Sequence, residues 1–163
     1  MSPLFLYKKM DTNKVTTLLN EALALNDELF LIDFSISSAG DIQVVIDGDK
    51  GVTLEECIRV SRHIEHNLDR EEDDFSLSVL TPDITKPLVN SRQYNKNIGR
   101  ILKVKTSEET IEGTLVNVAD DKVFLEWKTR EPKPIGKGKH TVVKKAEIAI
   151  DDIIQAKVKI VYN

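Results

Sequence analysis

Along the first half of the chain, the spacing of apolar residues switches between the helical period and strict alternation, and each switch predicts a new helix or strand. Asp11 or Thr12 is a suitable helix cap. The apolar residues that follow have helical spacing, which predicts an amphipathic helix ending near Asn26. Its apolar positions are Val15, Leu18, Leu19, Ala22 and Leu23. From residue 29 to residue 37 every second residue is apolar, which predicts a strand.

This alternation continues into a second strand, so the pattern predicts a β-hairpin. The first strand should bury one face, formed by Phe30, Ile32, Phe34 and Ile36. The sequence Ala39-Gly40-Asp41 is typical of a turn. The second strand should bury Ile42, Val44 and Ile46.

A second helix and a third strand complete this half. Thr53 and Glu56 have the spacing of a capping box, which predicts that a helix begins there. Its expected apolar stripe is Leu54, Cys57, Ile58, Ser61, Ile64 and Leu68. After the acidic residues 71–74, a third strand alternates Phe75, Leu77 and Val79 with serines. The order α-β-β-α-β predicts a sandwich with helices on one face of the sheet.

The second half is dominated by short strands with compact turns. A short helical turn is expected at residues 92–97, followed by strands at 100–106, 111–119 and 123–127. Near the end of the chain, a second helical turn at 152–154 should precede a last strand. Residues 128–145 form a long insertion whose first part is expected to be a loop, with the next strand returning at 141–143. Closely spaced short strands favour a small β-barrel.

A proline-containing segment, Thr81 to Leu88, separates the two halves. Pro82 and Pro87 lack amide hydrogens and push the residues before them toward extended conformations, so an extended, stiff connector is expected. The predicted fold is therefore α+β with two domains: an α-β-β-α-β domain at 1–80, a linker at 81–91 and a barrel domain at 92–163.

Charge also changes sign at this linker. Residues 1–80 contain 7 Lys/Arg and 16 Asp/Glu, whereas residues 81–163 contain 16 and 11, so net charges of −9 and +5 give the total of −4. Such asymmetry indicates nucleic-acid or charged-protein partners. The negative charge of the first half has two interpretations: it serves solubility alone, or it has a function, either docking to a basic protein or repelling RNA from one face.

The most informative segment is the basic stretch from residue 128 to residue 145. Its seven cations are Lys128, Arg130, Lys133, Lys137, Lys139, Lys144 and Lys145. They accompany a single acid, Glu131, and two prolines and two glycines interrupt the stretch. We interpret the segment as a contact for RNA phosphates, the alternative being a solvated loop.

Enzymatic and metal-binding interpretations find little support. Cys57 lies on an apolar stripe, as buried structural thiols do, and His63 and His66 have no second cluster of ligands nearby in sequence. Phosphate-binding loops, dinucleotide fingerprints and nucleophile elbows are missing from the sequence. We therefore expect no catalysis, no cofactor and no metal. Trp127 and Phe124 are expected in the barrel core, although exposed aromatics would stack on bases.

Several features favour a cytoplasmic protein. The single cysteine forms no internal disulfide, and no apolar run approaches the length of a membrane span. The opening residues place a short apolar run before Lys8 and Lys9, the reverse of a secretory signal.

These residues resemble the ribosome maturation factor RimP family over nearly the whole chain from about residue 13. Gly51-Val52-Thr53-Leu54-Glu55-Glu56-Cys57 and Val60-Ser61-Arg62 are similar to the family's entry into its second helix. The family's linker usually has Ser-Pro-Gly, an apolar residue, a polar pair and Pro-Leu. The matching linker positions are Pro82, Ile84, Lys86, Pro87 and Leu88, with Arg92, Tyr94, Ile98 and Gly99 matching the lead-in to the second domain. Thr81 and Asp83 depart from this pattern, and Asp83 replaces the usual glycine.

The resemblance implies an α/β N-terminal domain, a C-terminal SH3-like (Sm-like) barrel and a non-enzymatic role in assembling the small ribosomal subunit. The implied partners of a monomeric factor are the RNA of the immature subunit and a basic ribosomal protein. The basic stretch is the candidate contact, and the candidate linker residues are Pro82, Asp83, Lys86, Pro87 and Arg92. A general RNA-binding or RNA-chaperone module is the alternative function.

Overall fold

The computed structural model describes residues 11–69 and 74–160. The expectations about the opening residues and about acidic residues 71–73 lie outside these ranges. The chain divides into two compact units, Met1–Pro82 and Asp83–Asn163.

The first unit begins with helix α1, Thr12–Ala24. The carboxylate of Asp11 caps it by accepting a hydrogen bond from the amide of Lys14 at 3.2 Å. The predicted stripe is confirmed, because Val15, Leu18, Leu19 and Ala22 are buried and Leu23 packs against the same core.

Strands β1, Leu29–Ile36, and β2, Asp41–Gly48, form the predicted antiparallel hairpin. The register shifts between Leu31 and Asp33, which marks a β-bulge. The bulge reverses the alternation in β1. The residues that share the core face of Ile42, Val44 and Ile46 are therefore Leu29, Leu31, Phe34 and Ile36. The prediction was right for Phe34 and Ile36 and wrong for Phe30 and Ile32, since Phe30 is buried opposite Asp47 on the other face.

Gly40 turns the hairpin with φ +87°, in the left-handed region that side chains disfavour. A Cβ atom at this position would lie 2.6 Å from the backbone oxygen of Asp74, so glycine is also required for space.

Helix α2, Leu54–Glu65, begins at the predicted cap. The hydroxyl of Thr53 accepts a hydrogen bond from the amide of Glu56 at 3.2 Å. The Glu56 carboxylate accepts from Arg59 at 2.7 and 3.0 Å, so this side chain is engaged within the helix.

The buried stripe of α2 differs from the prediction. Cys57, Val60 and Ile64 are buried, whereas Leu54 and Ile58 are 76% and 40% exposed. Residues separated by three and four positions share a helix face, so the face centred on Val60 and Ile64 turns Leu54 and Ile58 toward solvent.

Strand β3, Ser76–Leu80, pairs in parallel with β2 and gives the sheet order β1-β2-β3. Side chains from both helices and all three strands form one core. The predicted α-β-β-α-β order of elements is confirmed.

The second unit contains one helix and an antiparallel sheet. Its elements are α3 at Ser91–Lys96, β4 at Ile101–Thr106, β5 at Thr110–Ala119, β6 at Lys122–Pro132, β7 at Lys139–Ala149 and β8 at Ile153–Val158. The sheet order is β7-β6-β5-β4-β8. Its core is built on Leu102, Val104, Leu115, Val123 and Leu125. Five antiparallel strands confirm the predicted sheet, while its closure into an SH3-like barrel stays a prediction.

Strands β6 and β7 are longer than the sequence pattern predicted. Their pairing continues through Lys128↔Val143 and Arg130↔Thr141 to Pro132↔Lys139. The loop expected in the first part of 128–145 is therefore shorter than predicted and spans only residues 133–138, whereas the strand expected at 141–143 is confirmed as part of β7. Pro132 does not interrupt β6, because proline is tolerated at the end of a strand, where its missing amide hydrogen is not needed for pairing.

Two smaller predictions also need correction. The turn expected at 152–154 is a 3₁₀ turn at Ile150–Asp152, and Ile153 already begins β8. The linker is not extended throughout, because the amide of Lys86 donates to the backbone oxygen of Asp83 at 3.0 Å and closes a turn.

Candidate nucleic-acid interface

Strands β6 and β7 continue beyond the rest of their sheet. The pairing of β5 with β6 reaches only Thr114↔Glu126, whereas that of β6 with β7 continues to Pro132↔Lys139. Residues 127–144, which we call the basic ribbon, thus form two strands joined by the loop 133–138. The amide of Lys133 donates to the backbone oxygen of Gly138 at 3.1 Å and closes this loop.

Alternation along the strands divides the ribbon into two faces. The inner face continues the core side of the sheet, where Trp127 packs against the core. The inner face comprises Trp127, Thr129, Glu131, His140, Val142 and Lys144. The outer face comprises Lys128, Arg130, Lys139, Thr141 and Val143.

Lys144 is the inner-face cation, and its charge is compensated. Its ammonium lies 2.8 Å from the carboxylate of Glu131. The hydrogen bond from Lys144 lowers the pKa of Glu131, with further help from Thr129. Of the seven predicted contact residues, Lys144 is thus the one held closely by an acid.

The other six cations lie on the outer face or in the loop. Lys128, Lys133, Lys137 and Lys139 are exposed and form no ion pair with any residue in the described ranges. Arg130 donates across the ribbon to the Thr141 hydroxyl at 3.0 Å and to the Lys139 carbonyl at 3.1 Å. These bonds fix its position while leaving its charge uncompensated.

Lys145 belongs to the same face, just before the ribbon leaves the sheet. Its ammonium is 3.6 Å from the carboxylate of Glu126, and its side chain is 74% exposed. Such exposed pairs contribute little to stability and are readily exchanged.

The loop at the end of the ribbon presents an apolar side chain. Ile135 is 89% exposed and lies between Lys133 and Lys137. Gly136 and Gly138 have φ of +86° and +93°, a left-handed conformation that glycine adopts without strain. Sequence patterns did not single out Ile135, because only the loop conformation shows that it is exposed.

The two aromatic residues of β6, Phe124 and Trp127, lie on opposite faces of the strand. Trp127 packs against the core as predicted. Phe124 lies on the opposite face, paired with Asn117 and Glu147, so its prediction as a core residue was wrong. An odd separation along a strand puts two residues on opposite faces.

The linker residues form local turns and caps. The Asp83 carboxylate accepts from the amide and hydroxyl of Thr85 at 2.9 and 2.7 Å, and these bonds lower its pKa. The amide of Leu88 donates to the Ala156 carbonyl at 2.8 Å, which ties the linker to β8. The amide of Arg92 donates to the Asn90 side chain at 2.8 Å, capping α3.

The residues considered for catalysis or metal binding have structural roles. Cys57 is buried, and burial raises the pKa of its thiol. His63 pairs with Glu21 at 2.9 Å. Within residues 11–69 and 74–160, no three His, Cys, Asp or Glu side chains are grouped to hold a metal ion. In the same ranges, no helix is long and apolar enough to cross a membrane.

Comparison with known proteins shows similarity along most of the chain. Residues 20–84 match the family model of the RimP N-terminal domain. A protein of Christiangramia forsetii named ribosome maturation factor RimP is 50% identical over 149 residues, covering 91% of this chain and 97% of that protein. The protein of the same name in Flavobacterium psychrophilum is also 50% identical over 149 residues, covering 91% of this chain and 97% of that protein. The namesake in Porphyromonas gingivalis is 33% identical, covering 90% of this chain and 97% of its own.

Proposed function

The chain belongs to the ribosome maturation factor RimP family, and from this premise we propose that it binds immature small ribosomal subunits and assists their assembly without catalysis. Family membership supports the role in ribosome maturation. The choice of the small subunit and of the contacts is our proposal.

The basic ribbon is the proposed contact with ribosomal RNA. Four exposed lysines without ion pairs among the described residues, together with Arg130 and Lys145, carry this proposal. Each cation that approaches a phosphate releases a condensed counterion, which favours binding. Because the ribbon extends beyond the sheet, its outer face and loop reach an RNA surface without steric obstruction from β5.

Ile135 adds a second element to this contact. Apolar side chains on nucleic-acid-binding proteins insert between bases, and flanking cations hold the backbone in place. Ile135, with Lys133 and Lys137 on either side, has this arrangement at the end of the ribbon.

The acidic first half gives the factor an orientation. Residues 1–80 have a net charge of −9 and repel phosphates, whereas residues 81–163, at +5, are attracted to them. Long-range electrostatic attraction therefore acts between RNA and the second half of the chain, and repulsion between RNA and the first half. The acidic half is the proposed docking surface for a basic ribosomal protein.

Co-sedimentation tests this function. The protein is mixed with immature small subunits, mature small subunits or bulk RNA at matched RNA mass. We expect strong binding to immature subunits and weak binding to the other two. Equal binding to all three would indicate the alternative function, a general RNA-binding or RNA-chaperone module.

A further inference from the structure

Strand β3 lies at one edge of the sheet in the first unit. Among the described residues it pairs with β2 alone, in a parallel register that runs from Asp41↔Ser76 to Val45↔Leu80. A strand at the edge of a sheet presents backbone groups to which a further strand can bond. The other side of β3 is therefore a possible interaction surface of the acidic half.

The free backbone groups of β3 belong to Leu77 and Val79. The amide of Ser76 donates to the Gly40 carbonyl at 3.2 Å, so the backbone of Ser76 faces β2. Successive residues of a parallel ladder direct their backbone groups to opposite sides, so every second residue of β3 faces β2 in the same way. The amides and carbonyls of Leu77 and Val79 consequently point away from the sheet and offer two donors and two acceptors with the spacing of a strand.

Exposed apolar side chains flank this edge on the helix side of the sheet. Helix α2 packs against β3, whereas α1 packs against α2 and β1. Arg59 and His63 mark the side of α2 that faces α1, since each contacts a residue of α1 at 2.9 Å. The helical repeat puts Leu54 and Ile58 on the other side of α2, away from α1 and next to the free edge of β3. Both side chains are exposed.

The opposite face of the sheet supplies a further apolar side chain, Leu80, which is 45% exposed. Leu77 and Val79 pack on the core, so alternation turns the two serines of β3 and Leu80 toward the face opposite the helices. A strand added at this edge therefore finds apolar contacts on both of its faces, with Leu54 and Ile58 on one and Leu80 on the other.

The first half remains strongly acidic even when every possible ion pair is allowed for. Residues 1–80 contain 16 Asp/Glu and 7 Lys/Arg, so pairing each cation with one acid still leaves nine carboxylates without a basic residue of this half. Repulsion of anions and attraction of cations by this half thus do not depend on how the individual pairs are arranged.

Three of the unpaired carboxylates lie around β3. Asp74 precedes the strand, and the Asp41 carboxylate accepts from the Ser76 hydroxyl at 2.6 Å beside its first residue. Glu55 lies in the first turn of α2, next to the exposed Leu54. None of these carboxylates forms an ion pair with a residue that the structure describes. Within the described part of α2, Arg62 is the one cation that has no acidic partner, so the charge around the edge is negative on balance.

We propose that the edge of β3 binds an extended segment of a basic protein, which adds a fourth strand to this sheet. The segment bonds the free backbone groups of Leu77 and Val79 and places apolar side chains against the flank of α2 and against Leu80. Its lysine or arginine side chains meet the carboxylates at the start of β3. Addition of a strand to a free edge combines main-chain hydrogen bonds with contacts for alternate side chains.

This inference deepens the proposed docking of a basic ribosomal protein to the acidic half. That the partner is ribosomal rests on the proposed function, whereas the chemistry of the edge does not.

Charge distinguishes this occupant from two others. The unpaired carboxylates repel the phosphates of RNA, and the alternating donors and acceptors of a strand edge match a second polypeptide backbone. A second copy of this chain pairs β3 with β3 only by bringing together two halves that each carry a net charge of −9. A cationic segment is attracted by the same charge that opposes RNA and a second copy.

A direct test uses a short synthetic peptide of alternating valine and lysine and follows amide exchange and NMR shifts of the full-length protein. In the free protein, the amides of Leu77 and Val79 should exchange quickly, and that of Ser78, which faces β2, slowly. The peptide should slow exchange at Leu77 and Val79 and shift their signals most. A valine–glutamate peptide, and a valine–lysine peptide with N-methylated amides, should have much smaller effects. Protection confined to other parts of the chain, or equal effects of all three peptides, would overturn the proposal.

The same signals identify the other occupants. Slower exchange at Leu77 and Val79 as the protein concentration rises, without peptide and with a dimer in sedimentation, would show that a second copy occupies the edge. Equal protection of these amides by a single-stranded RNA oligomer would show an RNA site. Either result would overturn the assignment of a basic segment.

Variants test the flank of α2. Leu54→Ser with Ile58→Ser should weaken binding of the valine–lysine peptide by about fivefold to tenfold, since exposed apolar contact area is lost while the core is unchanged. Leu25→Ser is the matched control, because Leu25 is 72% exposed in the same unit but lies at the end of α1. Its peptide affinity should equal that of the wild type, and equal weakening in both variants would contradict the proposed surface.

Failure of this inference is distinguishable from failure of the proposed function. Lys133→Gln with Lys137→Gln should reduce binding to immature subunits and leave peptide affinity unchanged. Absence of peptide binding at β3 would overturn the inference even if immature subunits are bound selectively. Equal co-sedimentation with immature subunits, mature subunits and bulk RNA would overturn the proposed function even if the peptide binds at β3.

Discussion

On the inner side of the basic ribbon, the ammonium of Lys144 lies 2.8 Å from the carboxylate of Glu131, although the cross-strand partners of these residues are Trp127 and His140. Lys133, Lys137 and Lys139, only a few residues away, form no such pair with any residue that the structure describes. The basic segment thus contains two kinds of cation. One kind holds the ribbon together, and the other remains available to a polyanion.

The first prediction concerns the available cations. Changing Lys133, Lys137 and Lys139 to Gln should flatten the dependence of log affinity on log salt by about two units, because each phosphate contact contributes about 0.7 to 0.9. Thermal stability should change little, as these are exposed loop and edge sites. Affinity for immature subunits across a salt series provides the measurement.

Lys144→Gln is compared with the single variant Lys133→Gln, since each removes one positive charge from the ribbon. Lys144 lies on the inner face and is paired with Glu131, so we expect little change in its salt slope, whereas Lys133→Gln should flatten the slope by about 0.7 to 0.9 units. Parallel lines for the triple variant and the wild type would contradict an RNA contact through the ribbon.

The second prediction concerns pH. The pKa of Glu131 is lowered in the folded protein, first by the hydrogen bond from Lys144. Its stabilising contribution is therefore present above the carboxyl's unfolded-state pKa and is lost as the pH falls through the lowered folded-state pKa. Amide protection factors in the ribbon, which correct for the intrinsic pH dependence of exchange, should fall on acidification of the wild type. In Glu131→Gln the protection factors should be lower at neutral pH and nearly independent of pH over the same range.

The third prediction compares two glycines with almost equal φ. Gly40 and Gly136 have φ of +87° and +86°, but only Gly40 has a close neighbour, the Asp74 backbone oxygen, at 2.6 Å from an added Cβ. Gly136→Ala should cost about 1 kcal/mol of unfolding free energy from backbone strain alone. Gly40→Ala should cost about 3 kcal/mol or more, since the backbone must also move. Denaturant unfolding of both variants checks this order, and similar costs would contradict it.

The fourth prediction concerns the close approach of Gly113 in β5 to Trp127 in β6, where a Cβ atom on Gly113 would lie 3.2 Å from Cε3 of the indole. Gly113→Ala should destabilise the protein by about 1 to 3 kcal/mol, because the new methyl group meets the Trp127 ring and the Glu126 carbonyl. Trp127→Leu should lower stability on its own but relieve part of the cost of Gly113→Ala. A double-mutant cycle on unfolding free energies should therefore be non-additive. Additive costs would show that the indole does not limit the space at residue 113.

Helix starts and element types were predictable from the sequence because their causes are local. Asp11 and Thr53, which the sequence predicted as caps, accept hydrogen bonds from amides three residues later. Such interactions depend on neighbours within one turn. The apolar periodicity likewise identified α1, the hairpin of β1 and β2 and the short strands of the second half.

Features that depend on partners distant in sequence were decided by the tertiary structure. The bulge at Leu31 to Asp33 exchanges the faces of β1, and it exists only because of the register with β2. The extension of β6 and β7 converts an expected loop into a ribbon because residues 128–132 pair with residues 139–143. Strand pairing sorts the cations by face, since alternate residues point to opposite sides.

The number and identity of the basic residues in the segment 128–145 were therefore evident from the sequence alone, as was the change in charge between the halves. Which cation is neutralised was not, because Lys144 and Glu131 are brought together only by the cross-strand register. The separation of β5 from β6 beyond the pair Thr114↔Glu126 was equally hidden. Beyond this pair β5 stays with β4 and β6 stays with β7, and no local sequence pattern records that divergence.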